Sequence, residues 1–160
     1  MKFGRLSDLV NNRMKLTTMS VMRFSFTDRG VQELVLDLNK DFQLFSEGVD
    51  ADGNVVGFYT NFTEQMHKGQ TFQVGGASAR EKMAGEKYFF YNTGSLFDSF
   101  FIRVANDGII IGATDIEKLA DNKYITNVAD LLGLTTESKE AVIIEILPNL
   151  RAFILKQLLS

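Results

Sequence analysis

The chain has no cysteine, one histidine and one proline. Without cysteine there is no disulfide, no thiolate nucleophile and no cysteine zinc site. A single histidine excludes every site that needs two, the HExxH metalloprotease helix included. Long apolar runs are missing as well. The longest candidate, Ala141 to Leu159, is interrupted by Glu145, Arg151 and Lys156, short of the ~20 apolar residues that span a bilayer. The segment Met1 to Asp8 carries charge where a signal peptide needs an unbroken apolar stretch. The expectation is a chain made in the cytoplasm, with no membrane partner.

What is present is an ordinary globular composition. The 160 residues are 45% hydrophobic and 23% charged, enough for one domain with a real core. A net charge of -3 gives no overall field to hold a polyanion, which disfavours general nucleic-acid binding and leaves only local patches. The charge is unevenly spread. In the first thirty residues Lys2, Arg5, Arg13, Lys15, Arg23 and Arg29 oppose only Asp8 and Asp28. From Val31 to Thr60 the balance reverses, with Lys40 facing Glu33, Asp37, Asp41, Glu47, Asp50 and Asp52. Such asymmetry fits complementary surfaces between copies of one chain, or two solvated faces of a monomer. We read residues 1–26 as a basic N-terminal arm and 27–160 as a single domain.

Within that domain, Val31, Leu34, Val35, Leu38, Phe42 and Phe45 recur at helical spacing and predict an amphipathic helix from Asp28 to Glu47. Thr27 or Asp28 can cap its start, and Gly48 stands where a left-handed C-terminal residue belongs. Asp52-Gly53-Asn54 reads as a turn. A long loop follows, around 57–86, rich in Gly, Ser, Thr and Gln, with a short helix near Phe62 to His67. Phe100 to Ala105, the turn Asn106-Asp107-Gly108 and Ile109 to Gly112 form a β-hairpin. Its second arm is apolar on both faces, so it should lie centrally in a sheet or face another subunit. Thr135 caps a C-terminal helix whose apolar face includes Ile143, Ile146, Leu147, Leu150, Phe153, Ile154 and Leu158. Pro148 should kink or break that helix. The fold class is therefore α+β: a mostly antiparallel sheet with a central hairpin, flanked by the helix of the N-terminal half and the C-terminal helix.

Chemistry is hard to find in this chain. His67, beside Lys68 in a polar stretch, has no GxSxG nucleophile elbow to serve. Asp50, Asp52 and Asn54 alternate like the start of a calcium loop, but the obligatory glycine falls at Val55 and the closing glutamate at Asn61. Gly75-Gly76-Ala77-Ser78 lacks the GxxxxGK[ST] pattern of a phosphate cradle. Asp37 and Asp41 share a charged helix face, where solvation is the ordinary explanation. Nothing assembles a nucleophile, a base and an oxyanion site, so the expectation is a non-enzyme with no catalytic, cofactor or metal residues. Arg103 within Phe100-Phe101-Ile102-Arg103 is the best place for a single strand to stack. Alternation there favours burial of two of the three apolar side chains.

Three segments in order carry a family resemblance. The first is Gln43 to Asn54 followed by Gly57-Phe58-Tyr59-Thr60. The second is Thr93-Gly94-Ser95-Leu96-Phe97-Asp98-Ser99-Phe100, followed by Ile102-Arg103-Val104 and the Ile109-to-Gly112 strand. The third is Leu132-Gly133-Leu134-Thr135-Thr136-Glu137-Ser138, leading into the final helix. This order of a helix, a YxxxT loop, a TGxLxxSF turn-and-strand and a closing GLT helix is similar to the virion-morphogenesis or tail-completion proteins of tailed bacteriophages, especially those infecting Bacteroidetes. It covers roughly Asp37 to the C-terminus. The Gly/Ala/Ser stretch between Gln70 and Glu86 departs from the family's more polar loop, and the basic arm has no counterpart in it.

The resemblance implies a structural protein of the phage neck: a self-assembled ring that docks on portal, head-closure or tail proteins and resides in the virion. Whether its lumen meets DNA is left open; no sequence-specific nucleic-acid binding is expected. Arg23, Arg29, Phe101 and Arg103 are the expected contact residues. Thr93, Gly94, Leu96, Phe100, Gly133, Leu134 and Thr135 carry the family pattern in structural roles. The competing expectation is a small phage-encoded binding module for single-stranded nucleic acid or a host protein.

Overall fold

A computed structural model describes residues 18–105, 109–115 and 128–159. The basic residues Lys2, Arg5, Arg13 and Lys15, the hairpin turn Asn106-Asp107-Gly108 and the side chain of Leu158 lie outside the described residues. Helices α1 (Thr18–Thr27) and α2 (Arg29–Asp37) lead into a π-helical segment, Leu38–Glu47. The short helices α3 (Asn61–Met66) and α4 (Ser95–Asp98) follow, then strands β1 (Phe100–Val104) and β2 (Ile109–Ala113). A 3₁₀ turn, Val128–Leu131, precedes the long helix α5 (Thr136–Leu159). The class is α+β, and the sheet is the two-stranded antiparallel hairpin itself.

Asp28 caps α2, its carboxylate accepting from the Val31 amide at 3.2 Å. Beyond Asp37 the helix widens to the π pitch, and this changes which side chains face inward. Val31, Val35, Asn39 and Gln43 are buried at a constant step of four, longer than the 3.6 residues of an α-turn. The slower rotation turns Phe42 outward, 41% exposed, where an α-helical continuation would have buried it. In its place two amides enter the core. Gly48 ends the segment at φ +65, and a Cβ there would collide with the Tyr88 carbonyl, so glycine is required twice over.

The hairpin register pairs Phe100 with Ala113, Ile102 with Ile111 and Val104 with Ile109 on one face. Phe100 and Ala113 join the larger core, while Ile102, Ile109 and Ile111 pack against Val31, Val35, Leu134 and Val142. The other face carries Phe101, Arg103, Ile110 and Gly112. Among the described residues no third strand joins β2, so it does not lie centrally in a sheet; its apolar outer residue, Ile110, is 48% exposed. Thr135 caps α5, its hydroxyl accepting from the Ser138 amide at 3.2 Å. Pro148 sits inside α5 without breaking it. The carbonyl it leaves unpaired belongs to Ile144, which is 69% exposed, so water can satisfy that group.

The long loop has α3, two isolated bridges and an aromatic floor. Phe58 bridges Lys87 and Phe72 bridges Arg80, while Val49 bridges Val55 in the preceding turn. Beneath lie Phe45, Tyr59, Phe72, Tyr88, Phe89 and Phe97, all buried. Their rings meet mostly edge to face, as at Phe45–Phe89 (5.1 Å), Tyr59–Tyr88 (4.7 Å) and Tyr59–Phe89 (5.3 Å). That geometry sets positive ring edges on negative faces.

Candidate assembly surfaces

Two buried amides lock the closing segment to the π-helical segment. Asn39 donates from Nδ2 to the Leu131 and Gly133 carbonyls at 3.1 and 2.8 Å. Gln43 donates from Nε2 to the Gly133 carbonyl at 2.9 Å, and its Oε1 accepts from the Thr135 amide at 3.0 Å. The Leu132-Gly133-Leu134-Thr135 motif is thus gripped through its backbone. The turn at Asp50 is fixed locally: its Oδ1 accepts from the amides of Asp52 and Asn54 at 2.9 and 2.8 Å. Those bonds make it a turn. Among the described residues no group of three or more His, Cys, Asp or Glu side chains is placed to hold a metal ion.

Arg80 and Lys82 bring cations onto the aromatic floor. Arg80 donates from Nη1 to the carbonyls of Phe45 (2.6 Å) and Ser46 (3.0 Å), at the C-terminal end of the π-helical segment where carbonyls lack helical partners. Its guanidinium lies 4.9 Å from the centre of the Phe89 ring and 3.4 Å from the Glu86 carboxylate. Lys82 is buried, with Nζ 4.4 Å from the Phe72 ring centre and 3.2 Å from Asn92 Oδ1. Burial pulls its amine down to about 8. Burial pushes the Tyr59 hydroxyl up to about 12, although that oxygen accepts from the Phe89 amide, which by itself would favour the ionised form.

The Lys82 value has a testable sign. Below pH 8 the amine is protonated folded and unfolded, and folding bears the full cost of burying the charge. Between pH 8 and 10.5 only the unfolded chain keeps the proton, so stability rises with pH through that window. Above pH 10 Tyr59 acts oppositely, because the unfolded chain ionises first. The Lys82→Met variant is therefore expected to lose the rise between pH 8 and 10 seen in the wild type. Melting temperatures of both proteins across pH 7–10 check this, and parallel curves would refute it.

Above the aromatic floor, the loop presents large apolar side chains to solvent. Phe58 (55% exposed), Phe62 (70%), Met66 (62%) and Met83 (51%) lie on segments tied together by hydrogen bonds. The Gly85 amide donates to the Tyr59 carbonyl at 3.0 Å, and the Ala84 amide donates to Glu64 Oε2 at 2.8 Å. Flexible thioethers beside aromatic rings suit a surface that meets other proteins. On the inner face of the hairpin an apolar groove of about 440 Å³ runs between β2 and α5, lined by Ile109, Ile111, Leu134, Val142 and Ile146.

The residues singled out in the sequence fall in separate places. Arg23 is exposed on α1, whose Phe24 stacks on Phe153 of α5 at 4.1 Å. Arg29 is exposed and paired with Glu33 at 2.8 Å. Phe101 lies over Gly112, so closely that a Cβ at that glycine would run into the ring, and the Arg103 guanidinium stands 5.9 Å from the Phe101 ring centre. Thr93 is exposed beside Gly94, whose φ is +85, at the start of α4. Leu96, Phe100 and Leu134 are buried, and Gly133 and Thr135 take the amide bonds described above.

Asn39, Gln43, Arg80 and Lys82 escaped the sequence reading. For the first pair, polar side chains on a helix give no sign of burial. For Arg80 and Lys82 there was no signal either, since their partners are distant in the chain. Compared with known proteins, the chain matches no family model, no curated protein and no solved structure.

Proposed function

We propose that this chain is a non-enzymatic structural subunit of a tailed-phage particle. It completes the neck between head and tail by forming a ring and docking on portal, head-closure or tail proteins. The reading rests on the resemblance of the ordered motifs to those of tail-completion proteins. The observation that carries it in the fold is the apolar quartet Phe58, Phe62, Met66 and Met83, each more than half exposed above a buried aromatic floor. A ring needs heterologous contacts, in which one patch of a subunit meets a different patch of the next. The loop quartet supplies one apolar patch, and Ile110 beside Arg103 on the hairpin supplies a second. A single-strand-binding module would call for successive aromatics along a basic groove; the outer hairpin face offers one aromatic and one arginine.

Disrupting the coding sequence in the phage that carries it tests the proposal. The expected result is DNA-filled heads and separate tails by electron microscopy, with infectivity restored by supplying the protein in trans. Complete, infectious particles without the protein would contradict it.

A further inference from the structure

The outward side of α5 reads the same way in both directions. Glu140, Ile144, Leu147 and Arg151 follow one another at intervals of four, three and four. At 3.6 residues per turn they fall within an arc of about 60°, and they span about 16 Å along the axis. The opposite side of the helix carries Val142, which is buried, and Phe153, which stacks on Phe24. The outward four are all exposed, Ile144 at 69% and Leu147 at 51%. A symmetric spacing with acid at one end, base at the other and two large aliphatic residues between is complementary to its own reverse.

We infer that two copies of this chain pair through α5, antiparallel, about a two-fold axis passing between Glu145 and Ile146. In that register Glu140 faces the second copy's Arg151 and Ile144 faces its Leu147, and symmetry repeats each pairing. Isologous self-complementarity of this kind is the commonest basis of homodimers. The charges fix direction as well as partner, because a parallel pairing sets Glu140 on Glu140 and Arg151 on Arg151. Four side chains over about 16 Å of helix make a small contact beside a standard interface of roughly 800 Å² per partner, so a weak dimer is expected, dissociating at about micromolar concentration.

This inference goes beyond the neck reading and does not depend on it. A two-fold pair has no polarity, whereas a ring between head and tail does. Where both readings hold, the dimer is the form of the free subunit; the pairing itself requires only that Ile144 and Leu147 leave water.

Sedimentation equilibrium of the full chain with charge-swapped variants tests the pairing. Glu140→Arg alone, or Arg151→Glu alone, turns both attractive cross-pairs repulsive and is expected to weaken the dimer about tenfold or more. Glu140→Arg together with Arg151→Glu restores opposite charges and is expected to return the dissociation constant to within about threefold of wild type. Ile144→Lys is expected to leave a monomer. All of these sites are exposed, and an unchanged far-UV circular dichroism spectrum and melting temperature verify folding. A wild type monomeric up to millimolar concentration overturns the inference. So does a double swap as weak as the single swaps, or any self-association indifferent to all four variants. Those results leave the neck reading standing, and the disruption experiment can fail with the dimer intact.

Discussion

Replacing Phe89 with alanine is expected to lower the free energy of unfolding by about 3–5 kcal/mol, the range for emptying a fully buried aromatic site. The ring has no exposed surface and touches most of what orders the loop. It meets Phe45, Tyr59 and Phe72. Its faces also receive the guanidinium of Arg80 at 4.9 Å and the amine of Lys82 at 5.9 Å. Truncation opens a cavity and leaves Arg80 without its aromatic partner, while Lys82 keeps the nearer Phe72 ring at 4.4 Å. The loss should concentrate in residues 57–92, because little regular backbone pairing holds that stretch in place. Urea denaturation measures the total, and hydrogen exchange locates it. Phe58→Ala is the control: that ring is 55% exposed, so its removal should cost less than about 1 kcal/mol. Equal effects at the two positions would mean that the loop does not rest on the Phe89 ring.

Gln43→Leu is the second large effect, expected to cost about 2–4 kcal/mol. Leucine is close to glutamine in size, so the loss is chiefly one of hydrogen bonding. The Thr135 amide loses its acceptor and the Gly133 carbonyl loses one of two donors, in a place where Gln43 itself is wholly buried. An unsatisfied buried donor costs about 1–3 kcal/mol beyond the bond itself. Gln43→Glu should do comparable harm at neutral pH, since a carboxylate cannot donate to the Gly133 carbonyl. Equilibrium denaturation of both variants checks this. A loss below about 0.5 kcal/mol in each would show that the closing motif is held by packing alone.

These two sites divide what the sequence discloses from what it conceals. The capping roles of Asp28 and Thr135, the left-handed Gly48, the short helix after Thr60 and the hairpin are local events, written in residues a few positions apart. The π-helical turn is not local in that sense. Its register is set by Asn39 and Gln43 reaching carbonyls some ninety residues away, and helical periodicity, blind to that grip, placed Phe42 inside. The loop's packing was hidden for a related reason. Its Gly, Ser, Thr and Gln content signals irregular backbone correctly but says nothing of the six aromatic residues that pave its underside. Arg80 was invisible because its carbonyl partners lie 35 and 34 positions upstream.

The surfaces were legible only in part. Strand alternation sets Arg103 beside Phe101 on the outer hairpin face. Alternation could not show that the Phe101 ring would be occupied by Gly112 beneath it. The apolar side chains of α5 read as one broad face. Packing divides them, with Val142 inward and Ile143, Ile144 and Leu147 outward. A helix apolar on both sides has one more surface than a monomer needs.

The central claim is that these exposed side chains serve contact within a particle. Quantitative mass spectrometry of gradient-purified phage measures this most directly. The protein is expected in intact virions, at a fixed copy number proportionate to the portal protein and retained after a high-salt wash. A virion preparation containing every other neck component and no trace of this chain would contradict it.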